Sequence, residues 1–275
     1  MLDRTAQHRQ VCYGFINRHC EWSEAIQKTT INLFGLLRLK PRNDRPAFTL
    51  AEVLLTLTII GIIAAMTIPG LMNSTNKMEN VVALKKAYST LMQTTLMITA
   101  DNGGDITSVL SGLTSDADHE GLANIFIQKL SIAKNCGITE LKDTGCFPNL
   151  KYKFLDGITD WENVATNSTF STILTNDSMS YAFVLWRKNC SLDRSSPVNT
   201  TSSPLYNTCG IIYVDINGPN KGSSVTGRDL FSFMLTKKGI FPFGAYPDKG
   251  GASNCSVANG SGCTNKVLSE GAMNY

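Results

Sequence analysis

Apolar positions crowd one stretch of the chain before any periodicity sets in. From Val53 through Pro69 no side chain is charged; extended back to Phe48 and on to Met72, the run covers 25 residues with one charge, Glu52. About 20 apolar residues at 1.5 Å rise cross the hydrocarbon of a bilayer, so this run can span it. Beyond the Pro69-Gly70 break the pattern turns amphipathic. Val81, Leu84, Tyr88, Leu91, Thr95 and Ile98 recur at three- and four-residue steps, while Lys77, Glu79, Lys85, Lys86 and Gln93 fall on other faces. Together the two halves predict one helix of about 50 residues, about 75 to 80 Å long, stopped by Asp101-Asn102-Gly103-Gly104. Its second half is patterned to pack on a globular head.

A further stripe of Leu122, Ile125, Phe126, Lys129, Leu130 and Ala133 predicts a shorter helix from Gly121 to Asn135. Short apolar runs then predict strands from Phe170 to Leu174, Tyr181 to Trp186, Ile211 to Ile216, Leu230 to Leu235 and Ile240 to Phe243. Thr236-Lys237-Lys238-Gly239 reads as a hairpin turn between the last two. Between residues 163 and 208, 22 of 46 are Ser, Thr or Asn, the composition of exposed loops. The fold class expected is α+β, a long N-terminal helix against a mostly antiparallel sheet.

Composition sharpens this picture. The 275 residues are 43% hydrophobic and 17% charged, against about 25% charged in an average soluble domain. Residues 1–47 hold eight Lys/Arg and four Asp/Glu, and the remainder of the chain carries 17 and 18. That remainder lacks the basic footprint of a duplex-binding protein, so nucleic acid is not an indicated partner. Arg38, Lys40, Arg42 and Arg45 gather just before the apolar run, which keeps that side cytoplasmic and exports the chain beyond Met72. The cysteines agree. Cys12 and Cys20 lie upstream, and Cys136, Cys146, Cys190, Cys209, Cys255 and Cys263 form couples 10, 19 and 8 residues apart. An even count in a Ser/Thr/Asn-rich chain suits disulfides in an oxidising compartment, with neighbour pairing one of several connectivities. Zinc would want a Cys-x2-Cys step or a nearby His, and the six cysteines from Cys136 to Cys263 have neither.

Simpler readings of the apolar run fail on particular residues. Ala64-Ala65 comes too early for a secretory cleavage site, and Pro69-Gly70-Leu71-Met72 suits signal peptidase poorly. A plain anchor leaves Glu52 unexplained, because a carboxylate inside hydrocarbon costs about 2.5 to 3.5 kcal/mol and marks a functional site that needs a partner. If the chain were cut before Phe48, the new α-amino group would lie one helical turn from Glu52, and a neighbouring copy could offer the same amine.

The segment Arg45-Pro46-Ala47-Phe48-Thr49-Leu50-Ala51-Glu52-Val53-Leu54, running on into the apolar stretch, resembles the class III signal of type IV pilins and type II secretion pseudopilins. The resemblance implies that a prepilin peptidase/N-methyltransferase cuts between Ala47 and Phe48 and methylates Phe48. It implies that Glu52 pairs with the Phe48 amine of an adjacent subunit, and that Gly61 and Pro69 stand where such helices carry a Gly and a kinking Pro. The implied organisation is a leader over 1–47, a transmembrane helix half over 48–72, an amphipathic half over 73–100 and a globular head over 101–275. Sister subunits, other pilins, an inner-membrane assembly platform and the lipid bilayer are the implied partners. The place implied is the bacterial inner membrane, with the leader cytoplasmic and the head exported, and then a filament. Two features depart from the pattern. Ala47 stands where the family usually has Gly, and the 47-residue leader is long, which implies a start further downstream although no Met falls between Met1 and Met66.

Catalytic signals are thin, and the expectation is a structural protein without enzymatic activity. His119 is the one histidine of the exported part, and Ser-Asp-Ala-Asp-His-Glu reads as a solvated loop. Ser131-Ile132-Ala133-Lys134 matches Ser-x-x-Lys without the companion motifs. Asp215, Asn217 and Asp229 border a Gly turn that suits Ca²⁺ in outline, and some type II pseudopilins bind Ca²⁺ in a C-terminal loop; an Asx turn reads the same residues equally well. No other cofactor is expected. The alternatives are a minor pilin of DNA uptake or adhesion, and a tethered exported binding protein or hydrolase that borrows the anchor.

Overall fold

The computed structural model of the chain describes residues 48–139, 145–148, 151–160, 170–221, 224–248, 255 and 260–275. The chain divides into two units, Met1–Ile63 and Ala64–Tyr275. One helix, α1 (Leu50–Asp101), contributes to both.

In the first unit the apolar side chains of α1 are exposed, Phe48 ahead of it by 83% and Leu50 by 78%. The two threonines within this stretch turn inward on the backbone: Thr56 Oγ1 donates to the Val53 carbonyl at 3.0 Å and Thr58 Oγ1 to that of Leu54 at 2.7 Å. A hydroxyl satisfied by its own helix needs no water. Helix α1 is long and apolar enough to cross a membrane by length and composition.

In the second unit α1 continues through Pro69 and Gly70, although Pro69 brings no N–H to the Ala65 carbonyl. Further on, Val81, Leu84, Ala87, Leu91, Thr94, Thr95 and Ile98 are buried, the stripe expected of an amphipathic helix. Two short helices come after it. Helix α2 (Ile106–Leu110) is capped by Asp105, which accepts from Thr107 N, and α3 (His119–Ile127) by Asp118, which accepts from Gly121 N.

Among the described residues six strands come next: β1 (Ile132–Thr139), β2 (Phe170–Thr175), β3 (Ser180–Leu185), β4 (Thr208–Asp215), β5 (Leu230–Thr236) and β6 (Gly239–Pro242). They form one sheet in chain order with every neighbour antiparallel. A last helix, α4 (Cys263–Glu270), ends on Gly271, whose φ of 67° is the left-handed stop that glycine takes without strain.

Both faces of the sheet are covered, and alternation along each strand assigns its residues. Phe183 opposes Ile212, which opposes Phe233; Tyr181 opposes Val214, which opposes Phe231. These rows join the core formed with Leu84, Ala87, Leu91 and Phe126 of the helices. Tyr88 stacks on Phe233 with centroids 5.7 Å apart, and Phe126 meets Phe183 at 5.2 Å. Ala182, Val184, Ile211, Leu230 and Met234 point the other way and pack with Phe147, Tyr152, Leu205 and Phe243 from the loops. Burial on both faces explains why β3 and β5 are mostly apolar, with Ser180, Ser232 and Thr236 as their polar residues, all buried.

Loop and terminus are fastened to the same helix. Lys77 Nζ donates to the Met273 carbonyl and Asn80 Nδ2 to that of Arg228, each at 3.2 Å, and the Tyr275 hydroxyl donates to the Gly227 carbonyl. Disulfides join Cys136 to Cys146, Cys190 to Cys209 and Cys255 to Cys263. Cys12 and Cys20 lie outside the described residues.

Two expectations are corrected. The helix expected from Gly121 to Asn135 ends at Ile127, and Ile132–Thr139 is strand β1. Ladder bonds to β2 across two register irregularities, together with the Cys136–Cys146 bridge, outweigh the 3.6-residue stripe there. The Ser/Thr/Asn-rich segment is not only exposed loop, since Ser171, Thr172, Thr175, Ser180 and Thr208 are buried in or beside strands. Thr172 Oγ1 meets Thr139 Oγ1 at 2.8 Å, and Thr208 Oγ1 donates to the Leu205 carbonyl at 2.9 Å. A buried hydroxyl costs little once it is bonded, as these are, whereas Ser171 Oγ is buried without a hydrogen-bond partner among the described residues.

Candidate functional site

The start of α1 is closed by a reciprocal cap. Thr49 N donates to Glu52 Oε2 at 3.0 Å, Thr49 Oγ1 donates to the same oxygen at 3.1 Å, and Glu52 N donates to Thr49 Oγ1 at 3.2 Å. This is a capping box, which answers two N–H groups that a helix start otherwise leaves unpaired. Weighed against lipid alone, Glu52 is a carboxylate in need of an outside partner, and Thr49 goes unnoticed. The signal is present as Thr-x-x-Glu ahead of an apolar run. Glu52 therefore has a partner within its own chain, and a carboxylate near the helix N-terminus is also favoured by the helix dipole.

The other residues of the motif lie along the same helix. Phe48 stands just ahead of the cap, Gly61 lies in the first unit and Pro69 in the second, all three exposed. Beyond its own helix turn, none of the described residues lies within 4 Å of where a Cβ at Gly61 would stand. Ala47, with the rest of the leader, falls outside the described residues.

Elsewhere the candidate residues are engaged in building the fold. His119 opens α3 rather than lying in a solvated loop, and its Nδ1 accepts the Leu185 N–H at 3.1 Å. Only the imidazole unprotonated at Nδ1 can do this, and that lone pair is then not free to act as a base. Burial pulls the His119 pKa down, with the neighbouring Asp118 pulling the other way. Its contribution to stability is thus complete above the unfolded value of about 6.5 and is lost as pH falls through the lowered folded value. His119→Gln is expected to remove this share of the pH dependence, so that the stability advantage of the wild type over the variant shrinks between pH 7 and 5; a difference in melting temperature that stays constant over that range contradicts the assignment.

Ser131 accepts at Oγ from Asn176 Nδ2 at 2.6 Å, while Lys134 lies on β1.

Asp215, Asn217 and Asp229 do come together, both aspartates buried to 1–2% exposure. Asp215 Oδ1 accepts from Asn217 N at 2.9 Å and Gly218 N at 3.0 Å, and Oδ2 accepts from the Tyr152 hydroxyl. Asp229 accepts from Asn217 Nδ2 at 2.8 Å and from Val225 N at 3.0 Å. Burial pushes the Asp215 carboxyl up to about 7, against the lowering pull of Tyr152. Two hydroxyls of the adjoining loop, Ser224 Oγ and Thr226 Oγ1, are buried without a hydrogen-bond partner among the described residues. Ca²⁺ takes six to eight oxygens. Here every carboxylate oxygen already receives an N–H or O–H, and the bonds from Asn217 N and Gly218 N to Asp215 are those of an Asx turn. Among the described residues no group of three or more His, Cys, Asp or Glu is placed to hold a metal.

Comparison with known proteins locates a family match at the start of the helix. The model of the prokaryotic N-terminal methylation motif covers residues 42–68. No curated protein and no solved structure matches the chain. The matched segment holds Phe48, the Thr49–Glu52 cap and the apolar first part of α1. The chain thus carries, at residues 42–68, the methylation motif that is the signature of type IV pilins and pseudopilins.

Proposed function

We propose that the chain is the precursor of a filament subunit in a type IV pilus or a type II secretion pseudopilus. Prepilin peptidase removes residues 1–47 by cutting between Ala47 and Phe48, and Phe48 is then N-methylated. Residues 48–72 hold the subunit in the bacterial inner membrane as a single span, with the leader cytoplasmic and the head, residues 101–275, exported. At an inner-membrane assembly platform the spans pass from lipid into a bundle of sister helices, where Glu52 pairs with the Phe48 amine of a neighbour. Leaving lipid is favourable only if neighbouring helices cover the apolar surface, worth about 25 cal/mol per Å² against water, and if the carboxylate keeps a partner.

The observation that carries this reading is the match of the methylation motif to residues 42–68, because its apolar portion coincides with the exposed first part of α1. Co-expression with a prepilin peptidase tests it. The protein is expected to shift on a gel by the loss of its 47-residue leader, and a bulky residue in place of Ala47 to block the shift. Unchanged mobility of the wild-type chain contradicts the proposal.

A further inference from the structure

Glu52 is held through one oxygen by one residue. The backbone N–H and the hydroxyl of Thr49 both converge on Glu52 Oε2, at 3.0 and 3.1 Å, while the same hydroxyl oxygen accepts the Glu52 N–H at 3.2 Å. No hydrogen bond reaches Oε1 among the described residues, and the Glu52 side chain is exposed. The arrangement fixes the carboxylate against its own helix and leaves its second oxygen able to accept.

We propose that Thr49 is a positioning residue for filament assembly: it orders Glu52 so that Oε1 is presented to the α-amine of a second copy of this chain. The inference rests on the filament reading and adds a part to it. A glutamate is among the side chains that lose most freedom on being fixed, and left to itself near the membrane interface it would reach for water rather than for a neighbour. Thr49 has already removed that freedom in the solitary subunit. An incoming ammonium then adds a charge-assisted bond to Oε1, about twice as strong as a neutral one, without breaking the two bonds on Oε2. The hydroxyl is essential to this role and the β-branched shape is not. Valine keeps the shape and loses the oxygen; serine keeps the oxygen.

The test uses the full chain expressed with a prepilin peptidase and a pilus assembly machinery, reading the mature N terminus by mass spectrometry and assembled protein as the sheared filament fraction. Thr49→Val is expected to be cut and methylated as the wild type while its filament yield falls about fivefold, the usual size of a lost cap, and Thr49→Ser to restore the yield. In a Glu52→Gln background Thr49→Val should cause no further fall, since residues acting as a unit are not additive. Wild-type yield from Thr49→Val, a further loss in the double variant, or a block of cleavage instead of assembly each overturns the positioning role. The parent reading fails separately: it is Glu52→Gln, which can still form the capping box, that would then assemble normally.

Discussion

Glu52→Gln is expected to leave the leader cut and Phe48 methylated yet to reduce filament yield on the order of 100-fold, the scale of removing one partner from a buried ion pair. Glutamine serves the third position of a capping box as glutamate does, so the contacts with Thr49 survive and the loss reports the charge. The substitution isolates what the solitary chain does not need. Within its own helix Glu52 is satisfied by Thr49, and only a neighbour's ammonium requires a carboxylate. Sheared filaments at wild-type yield from processed Glu52→Gln protein would remove the pair from the mechanism.

The head offers the second large effect. Phe233 lies on β5, one strand in from the edge of the sheet, paired with Ile212 on one side and Pro242 on the other, and stacks against Tyr88 of α1 at 5.7 Å. It is fully buried. Phe233→Ala is expected to destabilise the head by about 3 to 5 kcal/mol, which lowers the melting temperature by about 10 °C for a domain of this size. Thermal unfolding of the detergent-extracted protein, followed by circular dichroism, measures it. Ile138→Ala serves as the control, because Ile138 on β1 is 44% exposed and its truncation should stay within about 0.5 kcal/mol. Equal melting temperatures for the two variants would show that the stacked Tyr88–Phe233 contact is not where the helix is held.

The same contrast explains what can be read from the chain alone. Helix α1 and strands β2 to β6 are legible because burial forces a pattern: a stripe from Val81 to Ile98 on a helix, and unbroken apolar runs such as Tyr181 to Leu185 where both sheet faces are covered. Strand β1 is not legible, since Lys134, Asn135 and Gly137 give an edge strand no alternation and its backbone pairing with β2 leaves no mark on the side chains. Helix α4, rich in polar residues, escapes for a related reason: it buries only Cys263, Thr264 and Val267. Site residues divide in the same way. The methylation motif is contiguous, so the resemblance is visible from Arg45 to Leu54. Tyr152, by contrast, reaches Asp215 across 63 positions, and His119 meets Leu185 across 66. Contacts that the fold makes between distant residues have no local signature. The Thr49–Glu52 box is the exception, a local pair written in the sequence as Thr-x-x-Glu whose carboxylate answers both the cost of lipid and the backbone N–H groups of its own helix start.

What the chain becomes after synthesis is the central claim, and the N terminus of the membrane-extracted protein decides it. Mass spectrometry of that terminus is expected to find N-methylated Phe48 followed by Thr49, Leu50, Ala51 and Glu52. A chain still carrying its leader, or one beginning at another residue or with an unmethylated Phe48, would contradict it.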